Sequence, residues 1–156
     1  MSFSIEKATS VDLEEILYLF KNTIEKSCAK DYNEAQILAW TSSINDKERW
    51  KTKIKNQYFI VVKLQHKIVG FGSLENNYID FLFVHHNFLR QGIASLIYET
   101  LKNEADKLEF TSLLTHASKT AVPFFESKGF KIFKENKIIR KGVEITNFEM
   151  TQNRKK

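Results

Sequence analysis

The chain has 156 residues, 42% hydrophobic and 13% aromatic, enough apolar material to build one core and a single domain over 1–156. Its net charge is +5, but the lysines are scattered and the short basic tail Arg154-Lys-Lys156 reads as a solvated end, so nucleic acid is not expected as a partner. Five glycines, one proline and one cysteine exclude a flexible linker and an internal disulfide. With no apolar run near the roughly 18 residues of a membrane span, a cytoplasmic protein without a membrane partner is expected.

In chain order, Phe3-Ser-Ile-Glu6 alternates apolar and polar residues, as a half-buried strand does. Thr9 and Asp12 have capping-box spacing, and Leu13, Ile16, Leu17, Phe20 and Ile24 follow with helical period. Cys28 falls late in that pattern and reads as a small core or surface residue. The stretch to Asn56 is less regular, with two short helices predicted over Glu34 to Trp40 and Lys47 to Ile54. Tyr32, Trp40 and Trp50 lie here, either closing the core over one end of a sheet or lining a pocket. Tyr58 to Lys63 and Lys67 to Leu74 are strands joined by a tight turn at Leu64 to His66. Glu75-Asn-Asn77 then turns the chain into a third antiparallel strand, Tyr78 to Val84.

The stretch Tyr78-Ile-Asp-Phe-Leu-Phe-Val-His-His-Asn-Phe-Leu-Arg-Gln-Gly-Ile-Ala-Ser95 is the most informative part of the sequence. A dense apolar run gives way to a polar loop from His85 to Gln91, and a helix opens at Gly92. Ile93, Leu96, Ile97, Leu101, Ala105 and Leu108 mark that helix's apolar face. A strand, a basic loop and a helix opened by glycine make an anion-binding arrangement, because free N–H groups and the helix dipole meet there. Gly92 and Ala94 lack bulk, and Arg90 adds a positive charge. Within the strand, alternation places Tyr78, Asp80 and Leu82 on one face. A carboxylate in such a strand is costly to bury unpaired, so Asp80 is either a general base or one half of an ion pair.

Further on, Leu113 to His116 reads as a short strand, parallel to Tyr78–Val84 through a right-handed crossover. Pro123 opens a helix that Gly129 ends. Phe130 to Phe133 and Val143 to Met150 form a terminal antiparallel pair. The parity of apolar residues shifts between Ile145 and Phe148, which predicts a bulge near Thr146. His66, His85, His86 and His116 lack metal-ligand spacing, and no metal is expected. The fold class is α+β: a mixed, mostly antiparallel central sheet with helices on both faces.

Arg90-Gln-Gly-Ile-Ala94 resembles the acetyl-coenzyme A pyrophosphate loop of the GNAT superfamily of N-acetyltransferases, whose motif runs Gln/Arg, two residues, Gly, one residue, Gly/Ala. Gly92 and Ala94 fill its last two places, and Leu89 stands where Gln or Arg is usual. Ser118-Lys-Thr-Ala-Val-Pro-Phe-Phe-Glu-Ser-Lys-Gly-Phe130 resembles a second family segment, Asn-x-x-Ala-x-x-Phe-Tyr-x-x-x-Gly-Phe. The resemblance spans essentially the whole chain and is weakest from Lys21 to Asn56. Gly142 to Met150 is similar to the closing run of one subfamily of small members.

The resemblance implies the GNAT acyltransferase fold, in which the two parallel strands splay and acetyl-CoA lies in the gap. It implies backbone pairing of the pantetheine arm with Phe83 and Val84. Arg90, Gln91, Gly92, Ile93, Ala94 and Ser95 would then meet the pyrophosphate, with Ser118 and Phe125 as further coenzyme contacts. The implied reaction transfers acetyl from acetyl-CoA to a primary amine of a small molecule or peptide by direct attack in a ternary complex. Asp80 is the candidate base, with Glu75 in reserve. Phe125 replaces the family's usual acidic tyrosine, which leaves Tyr78 or water to protonate the thiolate. Tyr32, Trp40, Glu75 and His116 are candidate substrate contacts. Leu89 and Phe125 also support a competing expectation, a catalytically weak module that only binds acyl-CoA. Monomer and homodimer both remain open.

Overall fold

The computed structural model describes residues 2–153, and the basic tail at 154–156 lies outside the described residues. The chain runs β1 (Ser4–Lys7), α1 (Leu13–Ser27), α2 (Glu34–Thr41), α3 (Lys47–Asn56), β2 (Tyr58–Leu64), β3 (Lys67–Glu75), β4 (Tyr78–Val84), α4 (Ile93–Lys107), β5 (Ser112–Ser118), α5 (Val122–Ser127), β6 (Lys131–Arg140) and β7 (Val143–Asn153). The strands form one sheet in the order β1-β2-β3-β4-β5-β7-β6, antiparallel except for the β4–β5 pair. Among the described residues, no helix is long and apolar enough to cross a membrane.

Local chemistry accounts for most of these elements. Thr9 and Asp12 form the expected capping box ahead of α1. Gln65 and His66 both take positive φ, 50° and 71°, the twist a two-residue hairpin needs between β2 and β3. Gly129, at φ 91°, ends α5 as predicted, with Pro123 in that helix's first turn.

Two apolar clusters lie on opposite faces of the sheet. On one face α1, α2 and α3 pack Ile16, Leu19, Phe20, Ile24 and Trp50 against Phe59, Phe71 and their neighbours. Trp50 stacks on Phe81 with ring centroids 4.7 Å apart. On the other face α4 sets Ile93, Ile97, Leu101 and Ala105 on the sheet. The stripe ends there, since Leu108 is exposed. Close approach of α4 depends on β3 glycines: a Cβ on Gly72 would come 2.4 Å from Cγ2 of Ile97.

Three expectations need correction. The first strand is four residues long and exposed throughout, because it sits at the sheet edge where neither face is covered. The terminal hairpin is longer than predicted, Lys131–Arg140 against Val143–Asn153. Its bulge falls at Phe133 on β6, where Ile132 pairs with Met150 and Lys134 with Glu149, while β7 runs through Thr146 in register. Ile145 belongs to the first cluster, and Phe148 and Met150 to the second. A strand apolar on both faces, not an inserted residue, produces the parity shift.

Gly72→Ala should destabilise the fold by about 1–3 kcal/mol, since Ile97 must move or α4 must lift. The urea midpoint should fall with the slope unchanged. An unaltered midpoint would mean that the β3–α4 contact has slack the geometry does not show.

Candidate active site

β4 and β5 are paired only at Tyr78–Leu114 and Ile79–Thr115. Beyond those two pairs the strands part, and the edge of β4 from Asp80 to Val84 faces an open gap. The carbonyls of Phe81 and Phe83 lie toward β3, each 3.1 Å from where a Cβ on Gly72 or Gly70 would stand. By alternation the backbone groups of Leu82 and Val84 face the gap. Thr23 of α1 donates its hydroxyl to the Val84 carbonyl at 3.1 Å. Of the two residues singled out for backbone pairing, Val84 therefore turns its peptide groups into the gap and Phe83 does not.

Asp80 is the extra residue of a bulge. Ser73 pairs with Phe81 and Leu74 with Ile79, leaving Asp80 without a partner on β3. The bulge breaks the alternation that places Tyr78, Asp80 and Leu82 on one face. Phe81 and Phe83 pack on the α1–α3 side, and Leu82 packs on the α4 side. Asp80 Oδ2 accepts from Lys53 Nζ at 2.6 Å and from Gln57 Nε2 at 2.9 Å, which puts it on the α3 side with the phenylalanines. Its side chain is 14% exposed. A sequence can flag a costly carboxylate, but Lys53 and Gln57 carry no signal beyond sharing one helical face at spacing four.

Tyr78 opens a second polar chain. Its hydroxyl lies 3.2 Å from Nδ1 of His116, and His116 Nε2 lies 3.8 Å from Glu149 Oε1. Burial, then the charges of Asp80, Glu149 and Glu75, push the Tyr78 phenol up to about 12. It stays protonated across the working pH range. Glu149 went unnoticed in the sequence because β7 carries ordinary alternating polar residues. The β5–β7 register, His116 opposite Glu149, is what delivers it.

At the far end of the gap, Gly92 caps α4 with φ 82°, and nothing lies within 4 Å of a Cβ built there. Its left-handed angle favours glycine, and the space beside it is open. Leu89, Arg90 and Gln91 are exposed, Ile93 is buried, and Ala94 and Ser95 are half-buried in the first turn. Lys128, outside the predicted set, donates Nζ to Ser95 Oγ at 3.0 Å. His85 closes the loop's start by accepting from the Asn87 N–H at 3.1 Å. Burial, then Lys67 and His86, push the His85 pKa down, so the ring stays an acceptor at neutral pH. Ser118 Oγ accepts from the Ala121 N–H ahead of α5, and Phe125 is 4% exposed in the second cluster.

A cavity of about 460 Å³ runs through the gap, lined among others by Tyr78, Asp80, Phe83, Val84, His116, Ser118, Phe125, Tyr32 and Trp40. Tyr32 presents its ring there, but its hydroxyl is engaged, donating to Thr146 O at 2.7 Å and accepting from Lys119 N–H at 2.8 Å. The two aromatic roles weighed for this region coexist: Trp50 is 3% exposed in the core yet borders the same cavity as Trp40. Glu75 is not brought in. It is exposed and borders a separate cleft with Arg49, Thr52, Lys53, Asn56 and Gln57. Cys28 also borders the main cavity; burial raises its thiol pKa, with Thr120 opposing, which keeps it protonated. Among the described residues no group of three or more His, Cys, Asp or Glu could hold a metal ion.

A glycine-capped helix at the end of two splayed parallel strands is the arrangement of an acyl-coenzyme A-dependent acetyltransferase. Residues 28–152 match the model of the acetyltransferase (GNAT) domain. The chain belongs to that family and is an N-acetyltransferase. It is 34% identical over 140 residues to the uncharacterized N-acetyltransferase YafP of Escherichia coli K12, covering 89% of this chain and 88% of that protein. A GCN5-related N-acetyltransferase from Rhodopseudomonas palustris shares the fold with a TM-score of 0.94 at 26% identity, covering 98% of this chain and 96% of the other. The PaiA N-acetyltransferase of Thermoplasma acidophilum, solved in complex with coenzyme A, superposes with a TM-score of 0.82 at 17% identity, covering 98% and 99%.

Proposed function

We propose that this chain transfers an acetyl group from acetyl-CoA to a primary amine by direct attack, both substrates lying in the β4–β5 gap. The observation that carries the proposal is the run of unpaired β4 edge from Asp80 to Val84 leading to the open, left-handed Gly92 at the start of α4. The residues fit the coenzyme: Leu82 and Val84 offer backbone groups to an extended amide chain. Gly92, Ile93, Ala94 and Ser95 offer first-turn N–H groups to a pyrophosphate, with Arg90 and Lys128 as nearby cations. Acetyl-CoA supplies an activated thioester carbonyl. Exposed Gln91 and the Ser118 hydroxyl are further polar contacts, and Phe125 supplies apolar wall.

Asp80 takes a proton from the acceptor's ammonium, and the free amine then attacks the thioester carbonyl. Only Oδ2 is engaged by Lys53 and Gln57 among the described residues. Oδ1 is left to accept, and the two donors, Lys53 on α3 and Gln57 just past its end, fix the carboxylate's orientation. Tyr78 returns a proton to the departing thiolate, and His116, held by Glu149, orients the phenol and passes on its replacement proton. The family's usual tyrosine position is occupied here by Phe125, so an acid on β4 fills a real need. A competing reading, a module that binds acyl-CoA without transfer, rests on Leu89 and Phe125, apolar where polar residues are usual.

Three measurements test this reading. Gly92→Glu forces an unfavourable φ on a side chain and places negative charge at the cradle. Acetyl-CoA affinity by calorimetry should fall tenfold or more, about 1.4 kcal/mol, and unchanged affinity in a folded variant would remove the cradle from the site.

Asp80→Asn should lower the rate near neutral pH by about 100- to 10,000-fold, with recovery at high pH where the free amine forms unaided. A uniform loss across pH, with a melting temperature several degrees lower, would make Asp80 a structural partner of Lys53 only.

Tyr78→Phe should lower kcat by about 100-fold or more at unchanged acetyl-CoA affinity. Because the wild-type phenol is pushed up to about 12, the acid form persists through pH 10, and the wild-type rate should show no alkaline fall from this group there. Full kcat in the variant would exclude the phenol as the acid.

A further inference from the structure

The cavity wall carries more positive charge than an amine acceptor calls for. Three cations line it, Lys53 and the exposed Arg49 and Arg140, against one carboxylate, Asp80, an excess of two; Arg49 also borders the cleft of Glu75. Lys53 is spoken for by its ion pair with Asp80. Arg49 of α3 and Arg140 at the end of β6 are not: among the described residues neither guanidinium has an ion pair, hydrogen bond or ring contact. Arg140 pairs with Val143, and Ile138 with Ile145, residues that pack toward the α1–α3 face. Both arginines therefore approach the cavity from the helical side, on elements separate from the Gly92 loop where a coenzyme's phosphates would lie.

An amine reaches an active site at neutral pH mostly as an ammonium ion. A wall with two uncompensated guanidiniums repels a plain ammonium and attracts a molecule that also carries an anion. Arginine's planar fork suits a carboxylate, which accepts two parallel N–H bonds from it. Between these charges the wall is aromatic, with Trp40 and Trp50 on it, so the body of the molecule it fits is apolar. We infer that the acceptor is an amino acid-like molecule: a primary amine on an apolar or aromatic body bearing a carboxylate, which Arg49 and Arg140 recognise. This rests on the proposed acetyl transfer for the place of the amine, and on the two unpartnered guanidiniums for the carboxylate.

Binding separates the two claims. Trp40 and Trp50 report on the cavity, so tryptophan fluorescence of the full chain is titrated with N-acetyl-L-phenylalanine, a product-like acid. The comparison is N-acetyl-2-phenylethylamine, the same ring and amide without the carboxylate. The acid should bind at least about tenfold more tightly. In the Arg49→Ala/Arg140→Ala variant that preference should drop below about threefold, with acetyl-CoA affinity by calorimetry unchanged. Equal binding of the two probes, a preference that survives the double substitution, or no binding of the acid at millimolar concentration would overturn the inference. Failure of the wild-type chain to bind acetyl-CoA, with the acid preference intact, would instead overturn the proposed function and leave the anion site standing.

Discussion

β4 and β5 part after two residue pairs, which leaves a strand edge unpaired inside the molecule. Backbone groups inside a sheet need partners, and an unpaired strand edge in the interior is costly unless something replaces the missing neighbour. Here the replacement is partial. Thr23 reaches across from α1 to the Val84 carbonyl, and the Thr115 hydroxyl donates to the Ile79 carbonyl at the fork. Between these two clamps the edge stays open. Each strand holds its position through its own side of the sheet, β4 through β3 and β5 through β7. The gap is therefore a property of the packed fold.

That opening also explains where the polar groups sit. A bulge turns Asp80 toward α3, where Lys53 and Gln57 receive it, and Tyr78 stands two residues earlier beside His116, with Glu149 beyond. One polar chain reaches β4 from α3, the other from β5 and β7. Proton removal and proton return in a direct transfer need two groups with opposite tendencies. The Tyr78 phenol, held protonated by burial and by three nearby carboxylates, cannot serve as the base. Asp80 accepts from the Lys53 ammonium and the Gln57 amide, the surroundings on which its proposed role as base rests. The division of roles proposed for the transfer rests on these two surroundings.

Legibility in the sequence followed how local each constraint is. Gly92 was visible because a helix start at positive φ and an uncrowded anion site both demand glycine within a few residues. The meander, the crossover helix and Pro123–Gly129 were visible for the same reason. What escaped depends on register. Asp80 could be flagged as anomalous, but alternation put it beside Leu82, since a bulge is decided by the pairing of Ser73 with Phe81 on another strand. The Phe133 bulge was assigned to the wrong strand because apolar residues on both faces of β7 mimic a parity slip. Glu149, Lys53 and Arg140 come from elements far away in sequence, and only tertiary packing gives them neighbours.

The two apolar departures from the family pattern have different physical meanings. Leu89 is 48% exposed at the mouth of the loop, where losing a polar side chain removes one contact and leaves the backbone N–H groups of α4 in place. Phe125 is packed among Phe124 and Phe130, with ring centroids 5.4 Å and 5.1 Å away. A hydroxyl there would need a partner or would cost desolvation energy. An apolar residue at that position keeps the second cluster dry, and any proton donor has to come from the opposite wall. In the proposed mechanism Tyr78 meets that requirement from β4, with a hydrogen-bonded histidine behind it. The substitution that argues for a mere binding module is thus also the one that, under the proposed transfer, calls for the Tyr78–His116–Glu149 chain.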